Sequence, residues 1–183
     1  MHLDEIQRIR AEADCLVSPA EIDAAIDRLA DEITHALAEA NPVVFVVMNG
    51  GVIFSGRLLP KLPFPLETSY LHATRYGDRT RGEGLEWRAQ PAQSVRGRNV
   101  LVLDDILDEG HTLQAILEHL HAEGAQRVLA GVLVHKQHDR KAVPGMRADF
   151  TGVDVADRFL FGCGMDYKGY WRNAPGIYAV KGM

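Results

Sequence analysis

The sequence predicts an α/β fold: a mainly parallel sheet flanked by helices. Apolar runs without polar alternation, VVFVVM (43–48), VLVL (100–103) and VLAGVLV (128–134), suit strands covered on both faces. Segments with helical spacing lie between them, as at 52–59 and 112–122, and strands alternating with helices give a parallel sheet. Ligands of such sheets bind beyond the carboxyl ends of the strands, so chemistry is expected in the stretches that follow each run.

Taken in order, Leu3, Ile6 and Ile9 mark one face of a short N-terminal helix. Ser18-Pro19-Ala20-Glu21 reads as the start of a second. Ser18 can cap the backbone, Pro19 suits the first helical position and Glu21 completes a capping box. Ile22, Ile26, Leu29, Ile33 and Leu37 then recur at helical spacing to about Ala40, so residues 1–40 are predicted as N-terminal helices. Asn41-Pro42 breaks the pattern before the first apolar run. Asn49-Gly50-Gly51 forms a turn, and Leu66 to Ala73 reads as another strand.

The polar stretch TRYGDRTRGEGLEWRAQPAQSVRGR (74–98) is too poor in core formers for an ordinary connection. Its first part, 74–91, is predicted as an active-site lid or an extended hairpin. Gly124 stops the helix that begins near Thr112. Short strands are expected near 149–153, 159–161 and 177–180, completing one domain over 1–183.

A chain of 183 residues, 46% of them hydrophobic, can bury one substantial core. Its formal charge of -5 argues against coating nucleic acid. The two cysteines, Cys15 and Cys163, lack metal-ligand spacing and read as a reduced pair, with a disulfide as the alternative. The first residues are charged throughout, unlike a signal peptide. No apolar run approaches the about 18 residues that cross a bilayer. A cytoplasmic protein is expected, with no membrane and no nucleic-acid partner.

One stretch concentrates the chemistry. VLVLDDILDEGHT (100–112) is an apolar strand that ends in acid: four of the six residues from Asp104 to Glu109 are carboxylates. Asp104-Asp105 falls at the strand end, and Asp108-Glu109-Gly110-His111-Thr112 leads into a helix. Backbone N–H groups at that helix start can cradle a phosphate; Gly110 permits the close turn and Thr112 adds a hydroxyl. A solvated acidic turn with a helix cap is the plain alternative.

This stretch resembles the phosphoribosyl-pyrophosphate signature of the type I phosphoribosyltransferases: apolar strand, two acids, two apolar residues, then Asp-Thr-Gly-x-Thr. The resemblance implies that Asp104 and Asp105 meet the ribose hydroxyls, directly or through Mg²⁺ and its waters. Residues 108–112 would wrap the 5′-phosphate. The substrate brings its own cations, because diphosphate oxygens bind Mg²⁺, so acids and phosphate donors are segregated within one loop. Glu109 departs from the pattern, standing where the family carries Thr. An ionised Glu109 cannot donate, so only its N–H is expected to serve.

RFLFGCGMDYKGYWRN (158–173) resembles the C-terminal segment of the hypoxanthine-guanine members, with Phe159, Gly162, Asp166, Tyr167 and Arg172 in register. With the acidic loop and Ser69-Tyr70, the resemblance runs from about Val43 onward and implies a small hood from the termini. Lys136, expected just beyond a strand end, would donate to O6 of a 6-oxopurine and discriminate against an adenine amino group. Phe159 would stack on the purine, and the backbone around Leu160 and Asp166 would meet its far edge. By resemblance Asp166 also binds Mg²⁺, Asn49, Gly50 and Arg172 hold diphosphate, and Ser69 and Tyr70 open the lid. Asn49 is a second departure, since relatives often carry Lys there.

The expected reaction joins phosphoribosyl pyrophosphate and a 6-oxopurine (hypoxanthine, guanine or xanthine), giving IMP or GMP and diphosphate, with Asp108 as acid or base at N7. A homodimer or homotetramer is implied by resemblance. Two other readings stay open: a regulatory protein of this fold sensing phosphoribosyl pyrophosphate or nucleotide, and a transferase for another base such as a pyrimidine.

Overall fold

The computed structural model describes residues 2–75 and 85–182. In chain order the elements are α1 (Leu3–Glu12), β1 (Asp14–Val17), α2 (Pro19–Leu37), β2 (Val43–Val47), α3 (Gly51–Leu58), β3 (Glu67–Arg75) and β4 (Leu85–Ala89). There follow β5 (Asn99–Leu107), α4 (His111–Ala122), β6 (Arg127–Gln137), β7 (Phe150–Ala156), β8 (Leu160–Phe161) and β9 (Ile177–Ala179).

The main sheet has six strands in the order β4-β3-β2-β5-β6-β7. All neighbours are parallel except β4, which runs antiparallel to β3. From β2 the chain crosses through α3 to β3 on one side; from β5 it crosses through α4 to β6 on the other. The β2–β5 boundary is therefore a topological switch point, where the carboxyl ends of two strands open a crevice.

Both sheet faces are covered, which is why the strands are apolar without alternation. Val44, Leu101 and Leu103 join α2 and α3 in one core. Val43, Phe45, Val47, Val100 and Val102 join α4 in the other. Helix α2 opens as expected: Glu21 N–H donates to Ser18 Oγ at 3.3 Å, and the Glu21 carboxylate accepts from Ser18 N–H at 2.8 Å. Such a cap contributes about 1 kcal/mol. Its predicted stripe, Ile22 through Leu37, is buried.

The termini build a second sheet of three antiparallel strands, β1-β9-β8, above the crevice. Helix α1 is tied to this hood by Trp171 Nε1–H, which donates to the Ile6 carbonyl at 2.8 Å, and by Arg10 over the Tyr178 ring.

Several boundaries differ from expectation. The N-terminal helices are separated by β1, and α2 ends at Leu37 rather than near Ala40. Strand β5 continues through Asp104 and Asp105 to Leu107, because pairing with β6 extends that far. Lys136 likewise lies within β6, paired with Val155, not beyond it. Phe159 precedes β8 instead of belonging to a strand. Of the segment 74–91, residues 76–84 lie outside the described residues. Its flanks pair as an antiparallel β3–β4 hairpin. Cys15 is exposed, Cys163 is buried, and both are free thiols.

Candidate active site

A cleft of ≈ 580 Å³ opens at the carboxyl ends of β2, β3 and β5. A recess of ≈ 240 Å³ adjoins it and shares Asp105, Asp108, Asp166 and Arg172 in its lining. The residues expected to hold phosphate, 108–112, line the cleft together with Asn49, Gly50, Asp104 and Asp105. Lys136, Phe159 and Leu160 line the recess. Ser69 and Tyr70 do not reach either space. They sit mid-strand in β3 opposite Phe45 and Val46, and His72, Ala73 and Thr74 border the cleft instead.

At the β5–α4 junction Gly110 takes φ +87°, a left-handed conformation that suits glycine. A Cβ there would also meet the Met146 sulfur at 2.6 Å and Leu107 at 2.8 Å. The turn aims the start of α4 into the cleft, and among the described residues no side chain caps it. Its free N–H groups and the helix dipole suit an anion. Glu109 is exposed, its carboxylate 3.6 Å from His111 Nε2, while its carbonyl accepts from Ala142 N–H at 2.7 Å.

Asp104 and Asp105 form the opposite kind of site. Burial, then the charge of Asp105, pushes Asp104 well above the ordinary carboxyl range. Burial raises Asp105 too, while a hydrogen bond from Asp104 and the charge of Arg172 pull it back. Two desolvated neighbouring carboxyls call for a cation or hydroxyl donors. Their oxygen-only chemistry fits Mg²⁺, which takes one or two carboxylates plus water and substrate oxygens. Among the described residues no group of three metal-capable side chains exists. Asp166 stands apart, paired with Arg172 and accepting from Gly169 N–H at 2.6 Å.

Asp105 rests in a glycine cradle. A Cβ on Gly50 would lie 2.2 Å from its carboxylate, and one on Gly164 would lie 2.1 Å from the Gly50 carbonyl. Arg172 closes the cradle by donating to the Gly164 carbonyl at 2.6 Å. Gly50→Ala must push the Asp105 carboxylate aside. If the substrate is the phosphoribosyl pyrophosphate that the sequence resemblance implies, kcat/KM for it should fall by about 10–100-fold, since 1 Å of misplacement can cost that much. Circular dichroism should be retained; an unchanged kcat/KM would mean that the cradle does not position Asp105.

Asp108 lies between the two spaces. Lys136 Nζ donates to its Oδ2 at 3.0 Å, and His138 Nε2 is 2.7 Å from its Oδ1. Burial alone would raise its pKa, but the Lys136 and His138 hydrogen bonds outweigh burial and hold it below the usual Asp value. Lys136, little exposed, also lies 3.5 Å from Asp157. Arg140 binds Asp157 through both nitrogens at 2.8 and 3.1 Å and holds its pKa down to about 2. Lys141 donates to the carbonyls of Leu107, Asp108 and Lys136, tying the ends of β5 and β6 together. Phe159 is exposed and meets Tyr167 edge-on at 5.7 Å, so it is free to serve as a stacking surface.

Sequence reasoning missed His138, Arg140, Lys141 and Asp157. They fall in polar connections, and nothing in their spacing marks them. Gly164 had a signal, since it lies inside the quoted segment 158–173.

Residues 18–168 match the phosphoribosyl transferase domain. The hypoxanthine-guanine phosphoribosyltransferase of Bacillus subtilis (strain 168) is 31% identical over 167 residues, covering 91% of this chain and 92% of that protein. The hypoxanthine-guanine-xanthine phosphoribosyltransferase of Tritrichomonas foetus is 30% identical over 179 residues, covering 98% and 94%. A crystal structure of a hypoxanthine phosphoribosyltransferase from Staphylococcus aureus superposes with a TM-score of 0.87 at 21% identity, covering 98% of this chain and 97% of the other, a likeness of fold.

Proposed function

This chain belongs to the hypoxanthine-guanine phosphoribosyltransferase family, and from that membership we propose that it is a purine-salvage enzyme. It transfers 5-phosphoribosyl from phosphoribosyl pyrophosphate to N9 of hypoxanthine, guanine or xanthine. The observation that carries the reading is one junction, β5–α4, with an uncapped helix start on one side and a buried carboxyl pair on the other. A ribose 5-phosphate presents both matching halves.

The uncapped N–H groups of residues 109–112 hold the 5′-phosphate, with Thr112 adding its hydroxyl. Asp104 and Asp105 accept from the ribose hydroxyls or hold Mg²⁺ and its waters; Asp166 offers a further carboxylate. When bound, Mg²⁺ neutralises charge on the departing diphosphate. Arg172 and the backbone of Asn49-Gly50 support that diphosphate. Lys136 donates to O6, Phe159 stacks on the ring, and the Leu160 and Asp166 backbone meets the remaining edge. As the N9–C1 bond forms and the C1–O bond to diphosphate breaks, the proton on N7 passes to Asp108. Ser69 and Tyr70 would act only indirectly, through the β3–β4 hairpin.

The test is nucleotide formation by purified protein given phosphoribosyl pyrophosphate, Mg²⁺ and each base in turn. IMP and GMP are expected with hypoxanthine and guanine, and none without Mg²⁺. Binding without turnover of any base would leave a sensor of the same fold, an alternative that the two hypoxanthine-guanine relatives described above do not support. Membership also supports a cytoplasmic homodimer or homotetramer, to be measured by light scattering. No helix among the described residues is long and apolar enough to cross a membrane.

A further inference from the structure

We propose that His138 is a positioning residue for this reaction, holding one oxygen of Asp108 while the other is released to face the purine. This rests on the reading of Asp108 as the group that meets N7.

His138 is the first residue beyond β6, and its side chain is only 4% exposed. Its Nδ1 accepts the backbone N–H of Arg140 at 3.1 Å. That nitrogen therefore carries no proton, and Nε2–H donates to Asp108 Oδ1 at 2.7 Å. The other oxygen, Oδ2, takes the Lys136 ammonium at 3.0 Å. Arg140 returns through its guanidinium to Asp157, which lies 3.5 Å from Lys136. Five residues thus close a ring: Arg140, His138, Asp108, Lys136 and Asp157.

The two partners of Asp108 are unequal once a base arrives. A 6-oxopurine draws the Lys136 ammonium toward O6, which uncovers Oδ2. His138 has no acceptor to exchange for and stays on Oδ1. Rotation about the Cβ–Cγ bond of an aspartate is a broad, soft torsion, so a carboxylate without that second contact would turn away from N7. A donor fixed by the backbone removes this freedom at the moment when Lys136 leaves. The ring also couples recognition to chemistry, because a base without O6 leaves Lys136 on the oxygen that must receive the proton.

The test compares His138→Gln with His138→Asn. Gln places an amide N–H near the position of Nε2; Asn reaches only the Nδ1 position. With saturating phosphoribosyl pyrophosphate, Mg²⁺ and hypoxanthine, the single-turnover rate of His138→Asn should fall by about 10–100-fold, the usual cost of removing an orienting partner. Its KM for hypoxanthine should stay within about threefold, because no contact to the base is lost. His138→Gln should keep its rate within the same about threefold margin. Parental turnover in His138→Asn would overturn the proposal. So would an equal loss in both variants, including one caused by a lowered melting temperature, since His138 would then serve packing alone. Parental turnover in Asp108→Asn would instead remove the role of Asp108 on which the inference stands.

Discussion

Asp108→Asn is expected to lower the single-turnover rate by about 10²–10⁴-fold, the range that a positioned acid or base supplies. An amide cannot take the N7 proton, and whichever way it is turned its NH₂ group faces a donor, Lys136 or His138. In the parent those two donors hold Asp108 below the usual carboxyl range, so it is ionised and ready to accept at neutral pH. Binding of GMP should change little, because the phosphate is gripped by main-chain N–H groups. Rates and nucleotide affinities measured together separate the two contributions. Equal turnover in variant and parent would remove Asp108 from proton transfer.

Lys136→Ala comes second in size, and its effect falls on the base. A hydrogen bond from a charged donor is worth about 1.5–3 kcal/mol, so KM for hypoxanthine and guanine should rise by about 10–100-fold. The variant should also discriminate less against adenine, whose amino group no longer faces an ammonium. A pH effect accompanies this loss. The cation beside Asp108 is one cause of its lowered pKa, so removing it raises that pKa. The acid limb of kcat/KM should then move to higher pH. Unchanged KM values for both bases would show that Lys136 does not line the base pocket in the working enzyme.

The central strands were legible because their burial is unusually simple. Val43 to Val47 is covered on both faces, and such a strand shows as an unbroken apolar run. Helix α2 was legible from its capping box and its stripe from Ile22 to Leu37. The short strands were not. Asp14–Val17 buries only Val17 fully and reads as an irregular charged stretch. Strand β5 looked finished at Leu103, since two aspartates are poor strand residues. It continues because its backbone stays paired with β6 as far as Leu107 and His135, which carries the two aspartates to the carboxyl edge of the sheet.

The phosphate loop and the acidic pair were legible for a related reason: each is contiguous in sequence. The surroundings of Asp108 were not, because His138 and Lys136 reach it only when β6 lies beside β5. Asp157 arrives from the far end of β7. The glycine cradle was half legible. The turn at Gly50 is visible in the sequence, but the close approach of Asp105 to Gly50, and of Gly164 to the Gly50 carbonyl, exists only once distant segments meet.

The central claim is that the β5–α4 junction grips a sugar phosphate through main-chain donors, leaving its aspartates for hydroxyls, metal and proton exchange. A crystal structure of the protein with GMP tests it most directly. The account predicts the phosphate beside Gly110 and Thr112, with the ribose hydroxyls toward Asp104 and Asp105 and O6 within reach of Lys136. A nucleotide whose phosphate lay anywhere else would contradict it.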